Sequence, residues 1–346
     1  MLLAFLILFF VLGAFSFLEE GLDKRVVNIS YVLMFTMLIL LAGFRPSDID
    51  KDYESYLRMY YSGDDDFSVE ITFKWIAEFV RKALGHPVFL FLIYAFLSLV
   101  LKAFAIRQLS HQVFLPVLML FSTSYVLHDF NQIRAGVAAG FFLLAIPNLR
   151  EGRRLFFIVY TILAILFHYS ALIILFLLFL SSKPMSRWQY ILYGSIIPIC
   201  YVLHFLGIDI FYAVPIPYFE EKIAIYEKMQ NSQAGMDINV FNLLILTKIA
   251  IVYYLLYFSP LLEKKNRYFP ILLKIEILSI VGFLLLTGIP VLSFRVNEFL
   301  GVVEIVLFPM VFYTLKPVWV ANTVVILMSL ALILNHILYN GVLQLL

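Results

Sequence analysis

His168 stands between Phe167 and the pair Tyr169-Ser170, in the middle of a long apolar run covering residues 155–180. An ionisable side chain at membrane depth is costly unless it is partnered or wetted, so it marks a functional position by default. Near neutral pH an imidazole can act as base, acid or phosphate partner; the competing reading is a neutral histidine bonded to a carbonyl. Arg134 ends the polar stretch His128-Asp129-Phe130-Asn131-Gln132-Ile133-Arg134. Its planar fork of donors matches phosphate oxygens, with Asp129 and Asn131 near enough in sequence to position it. The alternative is an interfacial arginine that snorkels to headgroups. Asp50 and Asp52 follow an apolar run that ends at 44. A carboxylate there can take a proton from a hydroxyl or hold a divalent metal, or be an ordinary solvated acid. Arg295 and Glu298 have the i, i+3 spacing of a helical ion pair. A second arginine beside Arg134 would suit a diphosphate; otherwise the pair orients helices. Glu304, Lys248, Lys274 and Glu276 also carry charge in or near apolar runs, without an assigned role.

The elements that must hold these residues follow from composition. The 346 residues are 63% hydrophobic and 14% charged, with a mean hydropathy of +0.96. Soluble domains hold roughly 45–50% apolar and about 25% charged residues, so a bilayer must take up the excess. Apolar runs fall at 2–18, 28–44, 87–106, 113–127, 134–149, 155–180, 190–206, 240–259, 269–289, 299–315 and 318–338. In lipid the backbone must satisfy its own hydrogen bonds, so these runs are helices; the alternating segments of about ten residues that make a membrane barrel do not occur. The expected fold is all-α and polytopic, a single membrane domain over 1–346 with about 11–12 transmembrane or re-entrant helices. The first run has no basic flank and no small-residue cleavage site before Glu19, so it reads as a retained span. Cys200 is the only cysteine, which excludes an internal disulfide and a cysteine-based metal site.

Basic residues in short loops set the orientation. Lys24 and Arg25, Lys102 and Arg107, and Arg150, Arg153 and Arg154 agree with one crossing per run and an N-terminus outside. The cluster Lys264, Lys265 and Arg267 agrees only if residues 155–180 do not make a single crossing. A re-entrant hairpin with His168 at its tip solves this, since each arm of about 12 residues spans only ~18 Å; a break at Pro198 is the rival solution. Two loops then lie outside. In loop 45–85, Pro46, Ser47 and Asp48 are read as a helix start, with Tyr53, Tyr56 and Tyr60 on one side. A second helix follows and lies amphipathically along the membrane, with Phe73, Ile76, Ala77, Val80 and Leu84 on its apolar face. Loop 207–239 contains Pro217 at a first helical position and reads as a lid or a surface helix.

No P-loop, dinucleotide fingerprint, HExxH, nucleophile elbow or CxxC occurs in a plausible context, and no basic stripe suggests nucleic acid. A flippase or other transporter would need polar residues along a path through both leaflets and commonly shows repeat symmetry; here the polar residues gather at one face and no repeat is found. A membrane-bound O-acyltransferase using His168 as base is the other alternative.

Three ordered blocks carry a resemblance. Gly43-Phe44-Arg45 through Asp52-Tyr53-x-x-Tyr56-x-x-x-Tyr60, then Gln132-Ile133-Arg134-Ala135-Gly136, then Ala164-x-x-Phe167-His168-Tyr169-Ser170-Ala171-Leu172 resemble the EpsG/Wzy-like family of bacterial polysaccharide (O-antigen, capsule or exopolysaccharide) polymerases. The likeness covers roughly residues 40–180, with a looser match through Arg295. The chain departs from the family at Asp50-Lys51-Asp52, where Gly-Thr-Asp is common, and at Ala135, where Gln often follows the arginine. The resemblance implies a membrane glycosyltransferase of GT-C type in the bacterial cytoplasmic membrane, joining undecaprenyl-diphosphate-linked oligosaccharide repeat units at the outer face. It implies Asp52 or His168 as the base. It also implies Arg45, Arg134 and Arg295 on the diphosphate and Tyr53 and Tyr56 on sugar, with Asn131 and Glu298 beside them. No cofactor is implied, a divalent metal stays open, and a chain-length regulator is the implied protein partner.

Overall fold

The computed structural model describes residues 2–47, 49–62, 69–207 and 238–339. These residues form helices with no extended strand among them, the all-α fold expected. Six helical stretches are long and apolar enough to cross a membrane: Leu3–Gly21, Lys24–Gly43, Val88–Leu109, Ile133–Arg150, Pro290–Thr314 and Val318–Ile337. A seventh crossing results if Leu243–Tyr257 and Ser259–Lys265, bent by 79° at their junction, are one span. The expected lid region lies mostly outside the described residues, as do Asp48 and the acidic run 64–66.

The chain divides into two compact units, residues 1–179 with 304–346, and residues 180–303. In the first unit α1 (Leu2–Leu18) is followed by α2 (Lys24–Gly43), then two short helices, α3 (Tyr53–Ser62) and α4 (Ile71–Phe79). Next come α5 (Val88–Leu109) and α6 (Phe114–Leu120), the latter continuing as a π-helical stretch over Phe121–Asn131. Then come α7 (Ile133–Arg150) and α8 (Arg154–Phe167). Helix α5 is central, packing on α2 and α7, and α7 packs on α8. Small residues permit the close approach. A Cβ at Gly140 would lie 2.7 Å from the Leu101 Cβ, and one at Gly43 would lie 2.6 Å from the Leu92 Cδ1, the small-residue contact typical of membrane helix pairs. At the far end of α1, the Glu19 carboxylate accepts the Val113 and Phe114 N–H groups at 2.7 and 3.0 Å. It thereby satisfies backbone donors at the start of α6 that have no partner within the helix.

The run 155–180 breaks at His168, whose backbone is extended (φ −156°, ψ 117°). The arms are α8 and a 3-10 helix, Tyr169–Phe179, which contact each other. Fourteen α-helical residues rise about 21 Å and eleven 3-10 residues about 22 Å, each too short for a ~30 Å hydrocarbon core. The rival break does not occur, because the helix holding Pro198 runs unbroken from Arg187 to Phe205.

Three expectations are corrected. Lys102 was counted with the cytoplasmic loop cations. It stands seven residues before the end of α5, turned inward and fully buried on Asp129. The face of α4 expected to lie on the membrane packs on protein instead: Phe73, Ala77 and Val80 join Tyr56, Tyr60 and Tyr94 in one buried cluster. The first loop helix begins at Tyr53, after Asp52, and Pro46 and Ser47 are not helical.

The second unit contains α9 (Arg187–Phe205), α10 (Leu243–Tyr257), α11 (Ser259–Lys265), α12 (Phe269–Leu285) and α13 (Pro290–Leu300). Here Lys274 has a structural task. Its Nζ donates to the carbonyls of Ser181 and Lys183 at 2.8 and 2.9 Å. The Met185 N–H donates to Glu263 at 3.2 Å. Both contacts bring the segment carrying Lys183 beside α11 and α12 within this unit.

Candidate active site

The residue at the centre of the site, Glu70, was not singled out by the sequence reading. It precedes α4, with extended backbone (φ −61°, ψ 143°), and its side chain is only 4% exposed. That placement leaves its carboxylate free of the helix and aimed at two other elements. One oxygen takes a charge-assisted bond from Arg134 Nη1. The other lies 3.1 Å from His168 Nδ1, and the Tyr169 N–H donates to it at 3.4 Å. The start of α4, the start of α7 and the break after α8 are therefore tied together by one carboxylate. Thr72 adds to this by donating to the Leu166 carbonyl at 2.6 Å.

Burial opposes ionisation of Glu70, but the His168 bond and the Arg134 charge overcome it, holding the carboxyl below its ordinary value. An ionised Glu70 accepts from Nδ1 of His168 and fixes the ring with Nε2 turned away from it, the orientation device of carboxylate–histidine pairs. His168 and Arg134 are about one-fifth exposed at their side chains, 20% and 19%. Arg134 carries five N–H donors, and the Nη1–Glu70 bond occupies only part of that fork. Its guanidinium lies 5.7 Å from the ring centroids of both Tyr56 and Phe73, a geometry suited to cation–π attraction. Burial pushes the Tyr56 phenol up to about 12, with Arg134 opposing the shift and Asp52 adding to it. Tyr56 therefore sits in the fields of both residues.

Asp52 is half-buried at the start of α3, where its N–H donates to Asp50 Oδ1 at 3.0 Å. Arg45 and Asp50 form an ion pair of 2.5 Å with both side chains fully enclosed. The Arg45 guanidinium sits 4.4 Å from the Phe91 ring centroid, and Tyr53 stacks on the same ring at 4.4 Å. Arg45 was expected on the diphosphate; the structure encloses it, where it shapes the loop that presents Asp52. Asn131 and Asp129 were expected to position Arg134. Asn131 accepts the Lys51 N–H at 3.2 Å, tying the Asp52 loop to the α6–α7 turn, while Asp129 pairs with Lys102. Gly136 explains the glycine in the Arg134 block: a Cβ there would lie 3.0 Å from the His128 carbonyl oxygen and the Ser98 hydroxyl, and 3.2 Å from Asp129. Arg295 and Glu298 stand on α13 in the second unit. Among the described residues no group of three or more His, Cys, Asp or Glu side chains is arranged to hold a metal.

The arrangement offers an oriented histidine, a cation with donors beyond its ion pair, and aromatic rings, all at one end of the first unit. That set can take a proton from a hydroxyl and neutralise a phosphate. Residues 28–346 match the family model described as the EpsG family. No curated protein and no solved structure matches the chain.

Proposed function

The chain belongs to the EpsG family of polysaccharide polymerases, and from that premise we propose that the Glu70–Arg134–His168 cluster is the catalytic centre of a GT-C-type glycosyltransferase. Its substrates are undecaprenyl-diphosphate-linked oligosaccharide repeat units, and it works at the outer face of the bacterial cytoplasmic membrane. His168 Nε2 takes the proton of the acceptor sugar hydroxyl as that oxygen attacks the anomeric carbon of the donor. A new C–O bond forms, the bond from that carbon to the diphosphate breaks, and the electron pair leaves with the diphosphate. Arg134 neutralises the charge that develops there, the kind of fixed electrostatic complement that contributes most to such reactions. Glu70 fixes the imidazole and holds Arg134 beside it. Asp52 is the second candidate base, or a ligand to a divalent metal. Tyr53 flanks the sugar, and Tyr56, buried beside Arg134, holds that guanidinium in place. Arg45 and Asn131 position the Asp52 loop.

The observation that supports this reading most is a single buried carboxylate joining the histidine and the arginine of two separate sequence blocks. The test is a ladder assay: purified protein given a lipid-diphosphate repeat unit yields products one repeat apart, and His168→Ala or Arg134→Ala abolishes them with the protein still folded and inserted. An undiminished ladder in both variants removes the site assignment. Adding a chelator to the same assay tests the metal.

A further inference from the structure

Helix α4 uses one face inside the protein, through Phe73, Ala77 and Val80, yet it presents a second apolar row outward. Trp75 and Phe79 are 61% and 57% exposed, and Ile71 also faces out. At i, i+4, i+8 these three form one stripe. The 3-10 arm presents another row, Tyr169, Leu172, Phe176 and Phe179, all exposed. Both rows start at the charged cluster: Ile71 follows Glu70, and Tyr169 follows His168 and donates its N–H to Glu70. α4 and α8 are in contact and held by the Thr72–Leu166 bond. The combination is a cationic and hydrogen-bonding head site from which two apolar rows depart.

We propose that these rows hold the polyprenyl chain of the lipid-linked donor, with its diphosphate at Arg134. This rests on the polymerase reading above. An amphiphile whose anionic end and apolar chain are covalently continuous fits this placement, because the cluster and the rows adjoin through consecutive residues. Outward aromatic residues that only anchored the protein in the bilayer would have no reason to begin beside Glu70 and His168.

The experiment compares two donors carrying the same repeat unit, one on undecaprenyl diphosphate and one on a water-soluble two-isoprene diphosphate, using full-length protein in nanodiscs. Trp75→Ala/Phe79→Ala is expected to raise KM for the undecaprenyl donor at least about tenfold, the effect of roughly one lost aromatic contact. Its kcat/KM for the short donor stays within about twofold of the unsubstituted protein. Equal losses with both donors, as for a bilayer anchor, or no loss with either, overturn the inference. If the unsubstituted protein makes no ladder from either donor, the polymerase reading falls. The rows are then judged by photolabelling with a diazirine-bearing undecaprenyl diphosphate. Label on residues 71–79 that unlabelled undecaprenyl diphosphate displaces and phosphatidylglycerol does not supports the binding site. Label that neither displaces, or that both displace, overturns it.

Discussion

Two ionic networks lie within the first unit, and they are built to opposite ends. In one, Lys102 donates to both oxygens of Asp129 at 2.9 and 2.8 Å, and Ser98 adds a third bond at 2.5 Å. Both charged side chains are wholly enclosed. Charge meets charge with three hydrogen bonds on the carboxylate, and Gly136 is pressed against it. In the other, Glu70 is enclosed, but its partners Arg134 and His168 reach partial exposure. The first network fastens α5, the π-helical stretch and α7 together. The second keeps a buried anchor and exposes the groups it anchors. A membrane charge alone therefore does not indicate chemistry; the informative feature is whether its partners reach the surface.

The sharpest way to break this contrast is to remove the exposed half of the open network. His168→Ala is expected to lower polymerisation by about 10²–10⁴-fold, the range for losing a positioned general base, with the detergent-solubilised melting temperature within error of the unsubstituted protein. A large drop in melting temperature instead would make His168 a packing residue. The closed network should behave inversely. Asp129→Ala strands the Lys102 charge and is expected to cost about 3–5 kcal/mol, read as loss of folded protein by size-exclusion fluorescence. The paired replacement Lys102→Met/Asp129→Leu should restore folding. A double variant no better than the single would show that the pair does more than fasten helices.

Much of this contrast was legible in the sequence, but unevenly. Helices α2, α5 and α7 follow apolar runs closely because lipid imposes a length and forbids unsatisfied backbone. The break at His168 was legible because a polar trio interrupts an overlong apolar run. Arg134 and His168 were legible by depth and type. Glu70 was not, because it sits in an acid-rich loop where most carboxylates are solvated, and only tertiary packing encloses it. Its one local signal is an acid standing immediately before an apolar helical run, at the position where the backbone is still extended. Lys102 was misread because a lysine near the end of a run usually snorkels. Ser98, one turn earlier on the same face of an otherwise apolar helix, was the available sign that this lysine turns inward.

A smaller effect sharpens the contrast from the packing side. Gly136→Ala places a methyl at 3.0 Å from the Ser98 hydroxyl and 3.2 Å from Asp129, and overpacking of this kind costs about 1–3 kcal/mol. Because Gly136 touches the closed network and stands two residues from Arg134 in the same helix, the variant tests whether the closed network sets the position of the open one. The expected outcome is a modestly lowered melting temperature together with a raised KM for the lipid-linked donor. A lowered melting temperature with unchanged KM would mean that the two networks are independent.

The smallest effect concerns protonation of Glu70. Its folded-state carboxyl is held below the ordinary value of 4.5, so the native state binds the proton less readily than the unfolded chain does. The stabilisation that follows is complete above the unfolded value and is lost as pH falls through the depressed folded one. Glu70→Gln, which keeps the shape but removes the charge, should therefore be less stable by about 1 kcal/mol at neutral pH. The difference from the unsubstituted protein should stay constant down to about pH 5 and shrink below about 4.5, where the unfolded carboxyl already takes up its proton. Thermal unfolding of both proteins across pH 3–7 measures it. A gap that closes well above pH 5 would mean that Glu70 takes up its proton in the neutral range. The buried carboxylate could then not be the fixed anion on which the open network depends.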